Sequence, residues 1–152
     1  MREPAYELFD HTADAGVRAF GTTLPELYEQ AARGLYATIG DLQREDAVTA
    51  PVGVAATPSI ASRDVSWQAE DPAYVLRDFL AELLHEFECN SRLLRNVSWE
   101  TLEMKRLSAT LEFGAIDLSR SEFFREVKAV TYHELKLVRH EDGFMAEFIV
   151  DI

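Results

Sequence analysis

Hydrophobic residues recur at helical spacing in two stretches of the chain, and each stretch carries its own start signal. In the first, Thr23 is placed as the N-cap with Glu26 three residues later, which is the capping-box pattern. Gly40 is placed to end this element. We therefore expect a helix over about residues 23–39.

The second stretch begins at Asp71 and Pro72, which are suited to an N-cap and a first-turn proline. Its apolar repeat predicts a helix over about residues 72–89 with a wide apolar face. We interpret the polar residues of this helix as its solvent-exposed side: Glu82, His85, Glu86 and Glu88.

Alternating polar and apolar residues, rich in β-branched and aromatic types, predict strands. They are Tyr6–Phe9, Gly16–Gly21, Leu93–Glu100 and Ser108–Ala115. The chain then predicts a C-terminal β-hairpin, whose first strand covers residues 127–138 and whose turn contains Asp142-Gly143. Its second strand ends at Asp151-Ile152.

Because the strands cluster instead of alternating with helices, the pattern indicates an α+β fold. We expect two layers, with a mixed, largely antiparallel single sheet and both helices packed on one face. At 152 residues and 47% hydrophobic composition, the chain 1–152 is expected to form one domain. Residues 41–70 are the least informative, although some of them leave room for short edge strands: Val48, Val52, Val54 and Ile60.

Composition limits the function classes. No stretch approaches the roughly 18 apolar residues of a membrane span, so we expect a cytoplasmic protein without a membrane partner. The formal net charge of −12 repels a phosphate backbone, which disfavours strong nucleic-acid binding by the protein alone.

The acidic end of the last predicted strand is a candidate cation site. Asp151 and the main-chain carboxylate of Ile152 place two anions on adjacent residues, and hard cations such as calcium or magnesium suit such oxygens. A frayed, hydrated chain end is the alternative interpretation.

A second candidate lies between the first two predicted strands, where Asp10, His11 and Asp14 fall within five residues. Such a group at a strand junction can direct several polar atoms to one point. Aspartate is also an ordinary turn residue, so the motif alone is a weak signal.

These features together resemble the archease family. The resemblance rests on Asp10-His11-Thr12-Ala13-Asp14-Ala15-Gly16, on the helix ending Phe79-Leu80-Ala81-Glu82-Leu83-Leu84, on Val127-Lys128-Ala129-Val130-Thr131-Tyr132-His133 and on the final Asp151-Ile152. It covers the chain from its first strand to its last residue, except that residues 41–70 match poorly.

The resemblance implies a non-enzymatic accessory protein of the GTP-dependent tRNA-splicing RNA ligase. Such a protein promotes formation of the ligase–guanylate intermediate and multiple turnover. The resemblance also implies a bound divalent cation, calcium or alternatively magnesium or manganese. Carried over by motif, the metal-binding residues are Asp14, Asp151 and Ile152, the last through a main-chain oxygen.

Four further residues are candidates for a supporting role or a partner contact. Asp10 is expected to orient His11, to bind metal or to form a turn. His133 is either a buried strand histidine or a residue beside the site. Lys128 is suited to neutralising excess carboxylate or to contacting a partner.

Two other function classes stay open from the sequence. One is a chaperone-like modulator of nucleic-acid-modifying enzymes such as methyltransferases. The other is a stand-alone metal-dependent hydrolase using Asp14, Asp151 and His133, although the sequence offers no evident nucleophile for it.

Overall fold

The computed structural model of the protein describes residues 5–11, 14–47 and 61–152. The helices are α1 (Leu24–Ile39) and α2 (Pro72–Asn90). The strands are β1 (Tyr6–His11), β2 (Asp14–Gly21), β3 (Gly40–Asp41), β4 (Ala61–Gln68), β5 (Arg92–Leu102), β6 (Arg106–Ala115), β7 (Glu122–Phe123), β8 (Ala129–Val130), β9 (Lys136–His140) and β10 (Gly143–Asp151). A short 3-10 turn covers Glu45–Ala47.

Both predicted helices and their N-caps are confirmed. The hydroxyl of Thr23 accepts a hydrogen bond from the Glu26 amide (3.3 Å), and the carboxylate of Asp71 accepts one from the Ala73 amide (2.9 Å). These side chains satisfy amides that have no partner inside the helix. Local signals were therefore sufficient to locate both helix starts.

Gly40 does cap α1, but for a reason that the sequence pattern did not indicate. Its φ of 170° is an extended conformation that any residue adopts, not the left-handed region. A Cβ at this position would collide with the carbonyl oxygen of Glu122, where β3 pairs with β7. Glycine is therefore favoured by the close approach of a neighbouring backbone.

The α+β class is confirmed, but the expected single mixed sheet is wrong. The described strands form a five-stranded sheet in the order β1-β2-β10-β8, with β9 also on β10, a three-stranded sheet β4-β6-β5 and the pair β3-β7. Every described strand pair is antiparallel. Strands β5 and β6 are consecutive and pair as a long hairpin, and β4 pairs with the other edge of β6. These three strands therefore form a separate sheet.

The C-terminal hairpin is confirmed, but its predicted first strand over residues 127–138 is broken. Strand β8 ends at Val130, a turn follows, and β9 begins at Lys136; both strands pair with β10. Both strands run antiparallel to β10 and therefore in the same direction, and a turn with left-handed backbone at Glu134 (φ 51°) interrupts the predicted strand between them. The alternating pattern was therefore misleading across residues 131–135.

The helices join the two larger sheets in one hydrophobic core. Helix α1 packs on β1, β2 and β10, whereas α2 contacts strands of both larger sheets. The rings of Tyr28 on α1, Phe79 on α2 and Trp99 on β5 meet with centroid distances of 5.1–6.0 Å. This packing holds the five-stranded sheet in place and leaves its opposite face uncovered by either helix.

Part of the uninformative segment 41–70 is an ordered edge strand. Strand β4 is at the edge of the three-stranded sheet, with Val65 and Trp67 on its partly buried side. The residues expected to form other edge strands, Val48, Val52, Val54 and Ile60, lie outside the described residues.

Candidate functional site

The two aspartates predicted to act together are opposite each other in the five-stranded sheet. Asp14 is the first residue of β2 and Asp151 the last of β10, and the antiparallel register pairs them directly. Directly opposite side chains project from the same face, with Cβ atoms about 4.5–5.5 Å apart. We call this pair the acidic pair.

The hydrophobic core determines this register. Ala15, Val17 and Ala19 of β2 are buried against the helices, and they pair with Val150, Phe148 and Ala146 of β10. The residues between them, including both aspartates, project from the other face. A slip of one residue would turn the apolar side chains away from the core, so core packing holds the acidic pair in position.

Like charges directly opposite each other in a sheet destabilise it. Asp14 is half-buried and Asp151 is exposed. Two unit charges about 4 Å apart repel by about 1 kcal/mol in water and by more beside a protein surface. A cation shared by the two carboxylates would offset this repulsion.

The neighbouring strands extend the same cross-strand row. The backbone of His11 in β1 pairs with Asp14, and Ala129 in β8 pairs with Asp151. The amide of Lys128 donates a hydrogen bond to the main-chain oxygen of Asp151 (2.8 Å). That oxygen is thus engaged within the protein, and the Asp151 carboxylate is the group that faces solvent.

The remaining predicted residues are distributed around this row. Asp10 pairs with Ala15, so it belongs to the face opposite the acidic pair. Lys128 is exposed and borders the β8 end of the row. Of the opening motif, Thr12, Ala13 and the side chain of His11 lie outside what the structure describes.

His133 is neither a strand residue nor a core residue, which corrects the expectation of a buried histidine. It lies in the turn between β8 and β9, and its side chain is 61% exposed. Its amide donates to the hydroxyl of Thr131 (3.2 Å), and its Nε2 lies 3.9 Å from a carboxylate oxygen of Glu134. A role beside the site stays a prediction.

Ile152 directly follows Asp151 and is 37% exposed. Its side chain has no ligating atom, so only main-chain oxygen is available from this residue. Its position next to the acidic pair agrees with the predicted ligand set without testing it.

A second charged group lies on the same face and was not predicted from the sequence. Arg18 of β2 pairs with Glu147 of β10, and its guanidinium contacts that carboxylate at 2.7 and 2.8 Å. It also contacts Glu7 of β1 (3.2 Å) and lies over the ring of Phe9 (5.0 Å). The hydrogen bond to Glu147 raises the pKa of Arg18 above its ordinary value, so the guanidinium stays charged.

The ring of Phe9 covers Gly16 between these two rows. A Cβ on Gly16 would collide with the ring, so glycine is what allows Phe9 to lie flat across β2. The apolar ring of Phe9 therefore lies between the acidic pair and the Arg18 group. No local sequence signal indicated it, because each contact joins residues on different strands.

The donor set of the acidic pair fits a hard divalent cation only in part. Carboxylate and main-chain oxygens are the ligands that calcium and magnesium prefer. Within the described ranges, however, no group of three or more His, Cys, Asp or Glu side chains is arranged to hold a metal ion. The two aspartates would therefore need main-chain oxygen, water or groups from a partner to complete a coordination shell.

In the part of the chain that the structure describes, neither helix is long and apolar enough to cross a membrane.

The fold and the acidic pair together define a small α+β protein with hard oxygen donors at one end of an antiparallel sheet. The chain belongs to the Archease protein family, whose sequence model matches residues 6–152. The resemblance predicted from the sequence motifs is confirmed.

Curated relatives and solved structures agree with this assignment. Protein archease of Methanosarcina barkeri is 30% identical over 97% of this chain and 95% of its own length. Protein archease of Pyrococcus abyssi is 32% identical over 97% of this chain and 98% of its own. Both matches therefore extend over nearly the whole of each chain.

Two solved structures show the same fold. A Methanobacterium thermoautotrophicum protein solved in solution has a TM-score of 0.68 and 25% identity, with 99% of this chain and 100% of that chain covered. The crystal structure of a Thermotoga maritima protein, described as an archease and possible chaperone, has a TM-score of 0.62. At 22% identity, over 100% of this chain and 98% of that one, it supports the fold alone.

Proposed function

We propose that this protein is a non-enzymatic accessory protein of a GTP-dependent tRNA-splicing RNA ligase, and that Asp14 and Asp151 bind a divalent cation. The observation that carries the proposal is the direct cross-strand pairing of these two aspartates. They are distant in sequence, and they are the side chains that the family motifs assign to metal. A core that places two carboxylates opposite each other favours a cation between them.

Calcium is the proposed ion, with magnesium and manganese as alternatives. Asp14 and Asp151 would supply carboxylate oxygens, and Ile152 a main-chain oxygen. Calcium takes 6–8 oxygen ligands, so three protein groups leave positions for water or for groups of a partner. When bound, the cation would supply positive charge that offsets phosphate charge at a nucleotidyl-transfer centre.

The residues around the acidic pair support presentation of the site to a partner. Asp151 is exposed at the strand end, and the backbone beside it is held by the Lys128 amide. The proposed action is to promote ligase guanylylation and multiple turnover in RNA joining. The RNA itself is expected to bind the ligase, because the net charge of −12 opposes binding of a polyanion to this protein alone.

The test is a reconstituted guanylylation reaction. Purified ligase, GTP and RNA ends are combined with and without this protein, and covalent ligase–guanylate and joined RNA are measured. We expect faster guanylylation and more than one turnover per ligase, lost with Asp14→Ala and Asp151→Ala. An inert wild-type protein would overturn the proposal, and RNA cleavage by this protein without ligase would favour the hydrolase.

A chaperone-like role is the second candidate, and the description of the Thermotoga maritima relative as a possible chaperone favours it. It predicts suppression of aggregation of a methyltransferase on heating. That suppression should not change when calcium is chelated or when Asp14 is replaced. Suppression that requires the acidic pair would instead favour a metal-dependent role.

A further inference from the structure

An open groove of about 820 Å³ is lined in part by Lys128, the residue whose amide donates a hydrogen bond to the main-chain oxygen of Asp151. Its walls include the rings of Phe123 and Phe124, and Ile39, Phe87 and Val127 also line it. We call it the phenylalanine groove. Of these residues, Phe123 and Phe124 are 50% and 55% exposed, which is unusual for two adjacent aromatic side chains.

The two rings are presented by a backbone that is held in place. Residues Gly40 and Phe123 are paired between β3 and β7, and the amides of Phe124 and Arg125 both donate to the carbonyl oxygen of Ile39 (2.8 and 3.3 Å). The Phe123 ring also lies 6.3 Å from the ring of Phe87. The exposure is thus a feature of an ordered surface, and such surfaces mark interaction sites.

The groove is continuous with the acidic pair along the chain. The segment that lines it runs from Phe123 to Lys128, and the Lys128 amide then hydrogen-bonds the main-chain oxygen of Asp151. The other wall comes from Ile39, at the end of α1. A partner seated in the groove would therefore lie beside the proposed cation site.

Charge decides which occupant fits. A second copy of this chain also carries −12, so a symmetric contact would bring together two strongly acidic molecules. Glu88 and Glu126 lie at the groove, and Arg125 and Lys128 also line it; the Lys128 amide connects this segment to Asp151 of the acidic pair. The complementary occupant is an apolar anchor on a basic protein surface.

We propose that the phenylalanine groove is a docking surface for an apolar side chain carried on a basic patch of the ligase partner. This inference rests on the proposed function, because it assigns to that partner the surface by which it is seated next to Asp14 and Asp151. The groove supplies affinity, and the acidic pair supplies the cation. The two roles are therefore separable by mutation.

The first test compares Phe123→Ser/Phe124→Ser with Leu118→Ser. Leu118 is 68% exposed but does not line the groove, so it is a matched loss of exposed apolar surface. Binding of each calcium-loaded protein to purified ligase is measured by calorimetry, with thermal unfolding as a folding check. We expect the double variant to bind at least about tenfold more weakly, as for aromatic interface anchors, and the control to bind normally.

The second test addresses charge. Glu126→Lys should weaken ligase binding about threefold or more at low salt, and the difference should shrink at high salt. Glu141→Lys is the control, because Glu141 lies in the β9–β10 turn, with a side chain that is 84% exposed. It makes the same change of net charge away from the groove. Equal effects of the two variants would show that only overall charge matters and would overturn the docking assignment.

Failure of this inference differs from failure of the proposed function. If wild-type protein neither binds nor stimulates the ligase, the proposed function is wrong, and so is the assignment of the groove to the ligase. If the wild type stimulates the ligase and the double phenylalanine variant binds equally well, only the docking assignment fails. A dimer in sedimentation experiments that Phe124→Ser dissociates would assign the groove to self-association and overturn the proposal.

Discussion

Two cross-strand pairs lie on the same face of β2 and β10, and one joins like charges whereas the other joins opposite charges. Asp14 faces Asp151, and four residues further along β2, Arg18 faces Glu147. The strands, the face and the type of pairing are the same. The difference therefore lies in what each pair contributes to the protein.

The Arg18–Glu147 pair has the properties of a stabilising contact. Opposite charges meet at 2.7 Å, and Glu7 adds a second carboxylate. A buried carboxylate of α2 follows the same rule: Glu86 is 1% exposed and is held by Arg63 (2.6 Å) and Arg92 (3.5 Å). The acidic pair differs in that two carboxylates are directly opposite each other at the exposed sheet end, where a cation or a partner can reach them.

The largest expected effect is loss of cation binding when either member of the acidic pair is removed. Asp14→Ala and Asp151→Ala each delete a charged ligand, and we expect calcium affinity to fall about 100-fold or more, judged by calorimetric titration. Asp142→Ala is the control, because Asp142 is exposed in the β9–β10 turn, at the other end of β10 from Asp151. Normal calcium binding by both acidic-pair variants would show that these residues do not form a metal site.

The next effect concerns Ile152, where no functional side chain is altered. Deleting Ile152 removes its main-chain oxygen from beside Asp151, whereas Ile152→Ala keeps that oxygen and shortens a side chain that cannot ligate. If the main-chain oxygen is a ligand, the deletion should weaken calcium binding by about tenfold in a calorimetric titration, and Ile152→Ala should leave it unchanged. A frayed, hydrated strand end predicts equal calcium affinities for the wild type and both variants.

Features set by local sequence were predictable, and features set by distant pairing were not. The capping residues Thr23 and Asp71 act within three residues of themselves, so both helices could be located. Glu86 is on the polar side of its helix by periodicity, yet arginines from β4 and β5 cover it. Its burial depends on strands that the helix pattern does not describe.

The acidic pair was predictable only in part. Its two residues were named from family motifs, but their direct opposition depends on the β2–β10 register, which follows from packing of the core. The phenylalanine groove was not predicted. Its only local signal was two adjacent phenylalanines within an otherwise polar segment, which does not show whether the rings are buried or exposed.

A smaller effect is expected from the stabilising pair. Glu147→Ala removes the main partner of Arg18 and should lower the free energy of unfolding by about 1 kcal/mol, the upper range for a partly exposed ion pair. Denaturant titration measures this, and calcium affinity should not change, because Glu147 lies four residues from Asp151. A large loss of calcium binding would mean that the two rows are coupled.

The matched change in the acidic pair should have the opposite sign and be the smallest effect. Asp151→Asn keeps the size of the side chain and removes one of two facing charges, so without divalent ions the free energy of unfolding should rise by about 0.5 kcal/mol. The gain should shrink in about 1 M salt, because screening weakens repulsion between exposed charges.

Added calcium should stabilise the wild type more than the variant, because an ion that binds the folded state more tightly raises its free energy of unfolding more. Denaturant titrations give the free energy of unfolding of the wild type and of Asp151→Asn, each in chelator and in calcium. A variant that is less stable than the wild type in chelator would show that the Asp151 carboxylate stabilises the fold by itself, and the contrast with Glu147 would then disappear.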